Sequence, residues 1–379
     1  MKVVGLTIQP LRIPFVERFQ HSLKDRAASD TVVVRVQLED GTYGYGEGLP
    51  RPYVTGETVE TLVTHVSEQL WPALVDQKIF GDELLANLSE LIPTSTDDGP
   101  VRAHNSARCA VEVAVVDAVL RSRAMGLHDL LPPTADSLTY SGVITAGDLE
   151  SVARRARQLM RVGLSHIKVK VGLEDTVERI AAIRKELGPD SVLRIDANAA
   201  WTVDQAAEVL QALEPYNVAS CEEPLAPQSW SDLAELRQRV STPLIADESL
   251  VTASDAQQLV AHEAIDLFNI RLSKCGGIGP CLELAAYARE HGLGYQVGAH
   301  VGETALLSAV GRHFAAHLGD ARFVEGSYGT LLLTEDLSRT SLRFGHQGKG
   351  TLLKGPGLGV DILEERLEGY AVGRLEFSA

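Results

Sequence analysis

The sequence predicts an α/β fold in which a parallel β/α barrel follows a smaller α+β unit. The first observation behind this prediction is a change of rhythm near residue 138, where short β-rich runs begin to alternate with helical patterns. The second is the spacing of the polar residues that end these runs, which recur every 25 to 27 residues. These residues are Lys170, Asp196, Glu222, Asp247, Lys274, His300 and Glu325.

The repeating part of the chain contains eight β-rich runs with helical patterns between them. The runs cover residues 139–145, 166–172, 192–198, 218–224, 242–248, 267–274, 294–300 and 322–327. A doubly wound sheet also alternates strands and helices. Eight evenly spaced units with polar residues at the strand ends favour the barrel, whose active site lies at the carboxyl ends of its strands.

The first 130 residues have a different organisation. Residues 1–60 have the composition of strands, and the β-branched run 31–39 leads into a glycine-rich turn at 41–48. Apolar residues at helical spacing follow at 57–70, 81–92 and 105–123. We therefore expect an α+β domain over residues 1–130, a barrel over 131–350, and an irregular tail over 351–379 that packs back onto the first domain.

Composition and charge exclude several classes of protein. With 45% hydrophobic and 23% charged residues, the chain has the composition of a globular protein. Its 35 Lys and Arg against 51 Asp and Glu give a net charge of −16, which argues against nucleic acid as a partner. No apolar run approaches the roughly 18 residues of a membrane span. Four cysteines without a CxxC pair fit a reducing compartment, so we expect a cytoplasmic protein that binds no membrane.

Three carboxylates end successive predicted strands: Asp196, Glu222 and Asp247. On neighbouring strands of a barrel these groups converge, and a divalent cation would relieve their repulsion. Oxygen ligands without a His or Cys cluster favour Mg²⁺ or Mn²⁺ over zinc. Any one of these residues alone is more often solvated or salt-bridged, but their register across three strands favours the metal site.

Lysines flank the three carboxylates on both sides. Lys168 and Lys170 alternate on one predicted strand and therefore point to the same face. Lys274 ends the strand after the last carboxylate, across the barrel mouth from that pair. A lysine near other cations can have its pKa lowered enough to act as a base, so these residues are candidate acid/base groups.

The motifs around these residues resemble those of the enolase superfamily, and within it the muconate-lactonizing subgroup. The matching segments are Lys168-Val169-Lys170, Asp196-Ala197-Asn198, Cys221-Glu222-Glu223-Pro224, Ala246-Asp247-Glu248-Ser249 and Lys274, in the family's order and spacing. The resemblance extends over nearly the whole chain. It implies an N-terminal α+β capping domain and a modified TIM barrel of the (β/α)7β type.

The resemblance also implies roles for the charged residues. Asp196, Glu222 and Asp247 would bind Mg²⁺, or Mn²⁺ in its place. Lys170 and Lys274 would act as acid/base groups on opposite faces of the substrate, and Lys168 would assist Lys170 electrostatically. Such a site removes a proton α to a carboxylate and stabilises the resulting enediolate.

Several activities on a small carboxylate fit this chemistry. We expect a muconate-type cycloisomerase first. The alternative is a racemase or epimerase of N-acyl or cyclic amino acids, and o-succinylbenzoate synthesis is a third candidate activity. A barrel that binds a carboxylate without catalysing a reaction is the alternative from a different class of function. Binding alone, however, does not require lysines on two opposed faces. The family further suggests a homo-oligomer.

Other polar residues near the strand ends are candidates for the pocket. His300 lies where the mandelate-racemase subgroup places a histidine base. The three lysines nevertheless favour a site in which lysines alone serve as the acid/base groups. Glu303 and Glu325 would either line the pocket or form structural ion pairs. The residues expected to orient ligands are Asn198, Glu223 and Glu248.

Two features bear on the substrate. Residues 14–26 lie where the family places a substrate-covering loop, in which Phe19 and His21 are candidate substrate contacts; an ordinary surface loop is the alternative. The segment 55–58 (TGET) resembles dipeptide epimerases of the superfamily. However, the last strand reads Glu325-Gly326-Ser327 in place of their Asp-x-Asp motif, which argues against dipeptides as substrates.

Overall fold

The computed structural model describes residues 1–21, 24–95, 99–145, 147–172 and 174–379, and the side chains of residues 18–21, 24 and 25 lie outside the description. The predicted substrate contacts Phe19 and His21 are therefore outside the described side chains, and only their backbone is placed, in the first strand. Among the described residues, no helix has both the length and the apolar character needed to cross a membrane.

An antiparallel sheet of four strands organises the first domain within the described residues. β1 (Val3–His21) pairs with β2 (Lys24–Leu38), and β2 pairs with β3 (Tyr43–Gly48). β14 (Leu375–Ser378) pairs with the other edge of β1. The C-terminal segment, expected to be irregular, thus contributes an edge strand to the first domain.

Within the described residues, five α-helices follow β3 in the first domain. They are α1 (Val59–His65), which continues through a π-helical turn (Val66–Leu70) into α2 (Trp71–Leu74), then α3 (Leu84–Leu91), α4 (Asn105–Ser122) and α5 (Leu127–Leu130). α4 is buried from Asn105 to Leu120, because the sheet covers one side of it and the barrel covers the other.

The glycine-rich segment 41–48 is a strand over most of its length and not the turn that the sequence suggested. The turn is confined to residues 39–41, and β3 follows it. The backbone of β3 lies directly against α4: a Cβ atom at Gly46 would be 2.0 Å from the carbonyl oxygen of Ala110. The prediction of a turn was wrong because these glycines permit close backbone packing and do not reverse the chain.

Within the described residues, eight parallel strands in sequential order form the second domain. They are β5 (Gly142–Ile144), β6 (His166–Lys170), β7 (Val192–Asp196), β8 (Val218–Glu222), β9 (Leu244–Ala246), β10 (Leu267–Ile270), β11 (Gly294–Val297) and β12 (Phe323–Val324). A parallel bridge between Tyr140 and Val324 joins the two edges, so the sheet curls into the predicted barrel.

A helix follows each strand from β5 to β11, which gives the expected (β/α)7β pattern. These helices are α6 (Leu149–Arg161), α7 (Thr176–Leu187), α8 (Val203–Ala212), α9 (Trp230–Arg239), α10 (Ala253–Ala261), α12 (Ile278–Glu290) and α13 (Ala305–Leu318), with the single turn α11 (Leu272–Cys275) before α12. Further elements include the pair of β4 (Ser137–Thr139) and β13 (Lys349–Thr351), and α14 (Glu364–Tyr370).

Buried carboxylates of the first domain join it to the barrel at helix N-termini. Glu47 on β3 accepts hydrogen bonds from the backbone N–H groups of Thr304 (3.1 Å) and Leu307 (3.2 Å) at the start of α13. Glu112 on α4 accepts from Ile278 and Gly279 at the start of α12. Because a helix N-terminus carries partial positive charge, these contacts stabilise the buried carboxylates and fix the first domain over the barrel mouth.

Candidate active site

Two of the predicted carboxylates lie side by side at the end of adjacent strands. Asp196 is the last residue of β7 and Glu222 the last of β8, and their Cα atoms are partners in the parallel ladder. Asp247 directly follows β9. All three side chains are almost completely buried. The spacing of the strand–helix units therefore places the carboxylates at neighbouring positions on the barrel rim, as the sequence predicted.

Lys168 and Lys170 bind these carboxylates from β6. The Lys168 ammonium lies 3.1 Å from Asp196 Oδ2, 2.9 Å from Glu222 Oε1 and 3.0 Å from Glu325 Oε1. Lys170 donates to Asp196 Oδ2 at 2.6 Å and to Asn198 Oδ1 at 2.7 Å. The two lysines share one face of the strand, and their alternation was the signal that predicted it.

Lys274 reaches the acidic cluster from the opposite side of the barrel. It belongs to the single turn α11, and not to the strand end as expected, because β10 ends at Ile270 and the chain winds for one turn before Gly276. Its fully buried ammonium donates to the Asp247 carbonyl (2.6 Å), to Asp247 Oδ1 (3.0 Å) and to the Asn269 carbonyl (2.8 Å).

Two arginines that the sequence analysis missed complete the charge pattern. The guanidinium of Arg271 contacts Asp247 Oδ2 and lies 3.4 Å from Glu222 Oε1. Arg194 on β7 lies 3.1 Å from Glu325. Arg194 precedes Asp196 by two residues, so the alternation argument applied to Lys168 and Lys170 would have placed it on the inner face.

Burial and neighbouring charges shift the pKa values of these groups in different directions. Burial alone would raise the pKa of Asp196, but Lys170 and Lys168 outweigh it and hold that pKa far below its usual range. Burial raises the pKa of Glu222 to about 7; Lys168 opposes this shift and the charge of Asp196 adds to it. Burial also raises the pKa of Glu248 well above its usual range, and the charges of Asp247 and Glu223 add to the effect.

The cluster has the donor chemistry of a site for a hard divalent cation. Its ligand atoms are carboxylate oxygens, which Mg²⁺ prefers, and Glu248 Oε2 is buried without a hydrogen-bond partner. Among the described residues, however, no three His, Cys, Asp or Glu side chains are arranged around a common point to hold a metal. The reason is that Lys168 and Arg271 lie between the carboxylates. The carboxylates fit a cation once the Lys168 ammonium and the Arg271 guanidinium move out from between them.

The cluster opens into a cavity of about 330 Å³ at the barrel mouth. Lys168, Lys170, Asn198, Glu248 and Arg271 line its inner end. The exposed apolar side chains of Val16 and Leu331 line its outer end. The exposed charged side chains of Glu17 and Arg155 also line the cavity, so it offers a buried charged end for a small polar group and an outer end of mixed apolar and charged character.

Two family models match the chain. The N-terminal domain model of mandelate racemase / muconate lactonizing enzyme covers residues 5–132, and the enolase C-terminal domain-like model covers residues 151–366. The chain belongs to the enolase superfamily.

Relatives of this enolase-superfamily chain include racemases, epimerases and cycloisomerases. It is 28% identical to the N-succinyl-L-Arg/Lys racemase of Bacillus cereus over 98% of both chains, and the crystal structure of that enzyme matches with a TM-score of 0.90, at 27% identity over 100% of both chains. It is 29% identical to muconate cycloisomerase 1 of Rhodococcus opacus over 96% of both chains. The dipeptide epimerase of Cytophaga hutchinsonii, solved with Mg and D-Ala-L-Val, matches with a TM-score of 0.87 at 27% identity, covering 99% of this chain and 100% of that one. These relatives identify the chain as an enzyme of isomerase type.

Of the three residues that were expected to orient ligands in this enolase-superfamily site, Asn198 and Glu248 line the cavity and Glu223 does not. Asn198 bridges Lys170 and Glu248, donating to Glu248 Oε1 at 3.3 Å. Glu223 instead accepts from the backbone N–H of Asp247 (2.7 Å) and from the Ser249 hydroxyl (2.5 Å). Glu223 thus fixes the strand end that carries Asp247 and does not line the cavity.

The remaining predicted pocket residues come from the last two strands. His300 and Glu303 follow β11 and line the cavity, as does Glu325, which follows β12. Burial raises the pKa of Glu303 to about 8, although its carboxylate accepts a 2.7 Å hydrogen bond from the His300 backbone. Glu57 of the TGET segment lies elsewhere: it caps α4 by accepting from Ser106 and Ala107, which is a structural role.

Proposed function

We propose that the chain is a Mg²⁺-dependent racemase or epimerase that moves the proton at the α-carbon of an N-acylated amino acid. The observation that carries this proposal is the placement of Lys170 and Lys274. They come from the second and sixth strand units of the barrel, on opposite sides of its mouth, and both ammonium groups bind carboxylates of the same cluster. Acid/base groups on opposite faces allow a proton to leave one face and return on the other.

The charged residues around the cavity would perform three tasks. Asp196, Glu222 and Asp247 would hold Mg²⁺, which supplies Lewis-acid stabilisation of the enediolate when it is bound. Lys168 remains charged between three carboxylates, because their effect on its pKa outweighs the opposing effect of burial, and it would stabilise the developing negative charge. Lys170 and Lys274 would exchange the α-proton.

Racemisation sets a requirement on the two lysines. Lys170 donates to Asp196 and Lys274 to Asp247 in this structure, and moving a proton from one face to the other requires one lysine as acceptor and the other as donor. One of them must first release its proton before it can accept the α-proton of the substrate. Lys170 lines the cavity directly, whereas Lys274 is buried behind Asp247 and must exchange that carboxylate for the substrate.

The relatives support this reading over the muconate cycloisomerase that the sequence favoured. An N-succinyl amino acid racemase aligns over 98% of this chain, and several dipeptide epimerases also match. Mandatory use of two opposed lysines is a feature of racemisation, since cycloisomerisation needs one acid/base group. The muconate cycloisomerase activity remains the second candidate, because a relative with that activity aligns over 96% of this chain.

Proton NMR in deuterated buffer with Mg²⁺ tests the proposal. The panel contains N-succinyl and N-acetyl amino acids of both configurations, proline derivatives, dipeptides and cis,cis-muconate. We expect loss of the α-proton signal and formation of the opposite enantiomer for an N-acyl amino acid. Lactone formation from muconate without any α-exchange would replace the proposal by the second candidate. The Lys170→Ala/Lys274→Ala double variant is the control for background exchange.

A further inference from the structure

The segment after β11 is held rigidly at the wall of the cavity. Arg51 of the first domain is buried and donates to the carbonyl of Val301 at 2.9 Å. Ser29 donates to the carbonyl of Gly302 at 2.7 Å. Within the segment, the backbone N–H of His300 donates to Glu303 at 2.7 Å. Both domains therefore fix the backbone that carries His300.

The side chain of His300, in contrast, has no hydrogen-bond partner. Its ring lines the cavity, the residue is only 5% exposed, and neither Nδ1 nor Nε2 is bonded to any described residue. Leaving a buried polar group without a partner is unfavourable, so such groups are rare unless a ligand or water completes them. A rigid backbone that presents an unsatisfied ring to the substrate cavity indicates a binding role.

The surroundings of the ring select the kind of group it can bind. Burial lowers the pKa of His300 well below its usual range, and the positive charges of Arg271 and Arg51 add to this effect. The ring is therefore neutral and offers one N–H donor and one acceptor. The lysines and Arg271 at the inner end of the cavity already match a substrate carboxylate, so the neutral ring is left for an uncharged polar group of the same substrate.

We propose that His300 binds the acyl group of the substrate, with one ring N–H donating a hydrogen bond to the acyl carbonyl oxygen. This inference rests on the proposed function, because it assumes an N-acylated amino acid in the cavity. It assigns His300 to substrate specificity and not to proton transfer. The outer apolar residues Val16 and Leu331 would then lie beyond the carbonyl, toward the rest of the acyl chain.

Replacing oxygen by sulfur in the substrate tests this hydrogen bond. Dissociation constants for an N-acetyl amino acid and its N-thioacetyl analogue are measured by calorimetry with the Mg²⁺-loaded enzyme, for wild type, His300→Phe and His300→Gln. Because thiocarbonyl sulfur is a weak acceptor, we expect wild type to bind the oxygen compound about tenfold more tightly. His300→Phe should remove this preference, and His300→Gln, which keeps an N–H donor, should restore most of it.

A matched control is His313→Phe, since His313 is also a buried histidine but bonds Leu358 away from the cavity. It should keep the wild-type preference. An unchanged preference in His300→Phe, or no binding of either compound to wild type, would overturn the inference. If His300→Gln binds both compounds as wild type does but loses α-exchange for one enantiomer only, His300 transfers a proton and the inference is overturned. Tight binding without any α-exchange in wild type would instead refute the proposed function alone.

Discussion

Glu325 lies 3.0 Å from the ammonium of Lys168 at the end of the last barrel strand. Arg194 approaches the same carboxylate to 3.1 Å. Burial alone would raise the pKa of Glu325, but Lys168 and Arg194 outweigh it and lower that pKa. Glu325 is therefore ionised and already neutralised by two cations of the protein, so it offers little attraction to a positively charged group of a substrate.

This pairing predicts that N-acyl amino acids are better substrates than dipeptides with a free amino terminus. The ammonium of such a dipeptide would enter the cavity without an available carboxylate at this strand, and an unpaired buried charge is costly. We expect kcat/KM for N-acetyl or N-succinyl amino acids to exceed that of the matched glycyl dipeptides by about tenfold or more. Equal values for the two series, measured by polarimetry, would contradict the prediction.

Mg²⁺ should stabilise the protein against thermal unfolding through the carboxylate cluster. A ligand present at about 100 times its dissociation constant adds about 2.7 kcal/mol to the free energy of unfolding, so the Tm should rise with Mg²⁺ concentration. Glu222→Gln should remove most of this rise, because it deletes one of the three proposed ligands.

The control for the metal prediction is Glu90→Gln, which removes an exposed carboxylate on α3 far from the cluster. Its Tm should respond to Mg²⁺ as wild type does. If Glu222→Gln also keeps the full response, the cation binds elsewhere and the assignment of the ligands fails. EDTA should abolish α-exchange in wild type, and added Mg²⁺ should restore it.

The sequence predicted the carboxylates and lysines at the strand ends, but it did not predict Arg271 or the one-turn helix that carries Lys274. Asp196 and Glu222 end strands of a regular strand–helix repeat, so their register follows from chain length alone. Arg271 and Lys274 lie beyond the end of β10, where the path of the chain depends on the single turn α11 and its packing under the first domain. The repeat of 25 to 27 residues marks Lys274 but does not encode this local path of the chain.

The glycines of β3 illustrate the same limit in the first domain. Their composition suggests a turn, and only the packing of β3 on α4 explains why side chains are absent there. The positions of the His300 and Glu223 side chains also required the structure, since both residues follow strand ends in the sequence but one faces the cavity and the other binds the backbone of Asp247.

Gly46→Ala should destabilise the protein strongly. The added methyl group would lie 2.0 Å from the Ala110 carbonyl oxygen, so β3 and α4 would have to separate. We expect a loss of about 3 kcal/mol or more in the free energy of unfolding, measured by urea denaturation. Gly369→Ala is the control, because nothing lies within 4 Å of its added Cβ atom. A loss below about 1 kcal/mol for Gly46→Ala would show that the two elements are not in direct backbone contact.

His313 should make the stability of the protein depend on pH in the acid range. Burial lowers its pKa to about 4, from 6.5. Between these values the unfolded chain binds a proton that the folded protein does not, so the contribution of His313 is complete above pH 6.5 and is lost as the pH falls to about 4. The shift corresponds to roughly 3 kcal/mol.

Comparison with His313→Gln isolates this effect from the other titrating groups. The difference in the free energy of unfolding between wild type and the variant should change by about 3 kcal/mol, to the disadvantage of wild type, as the pH falls from 7 to 4. Urea denaturation at several pH values measures it. A difference that stays constant over this range would show that His313 titrates normally in the folded protein.

Single-lysine variants test most directly whether Lys170 and Lys274 exchange the α-proton on opposite faces of the substrate. Each of Lys170→Ala and Lys274→Ala is incubated with each enantiomer of the best N-acyl amino acid in deuterated buffer with Mg²⁺, and α-exchange is followed by proton NMR. We expect each variant to lose racemisation by a factor of about 10² or more, while exchanging the α-proton of one enantiomer only, with opposite preference in the two variants. If either variant exchanges the α-proton of both enantiomers, or if both variants prefer the same enantiomer, Lys170 and Lys274 do not act on opposite faces of the substrate.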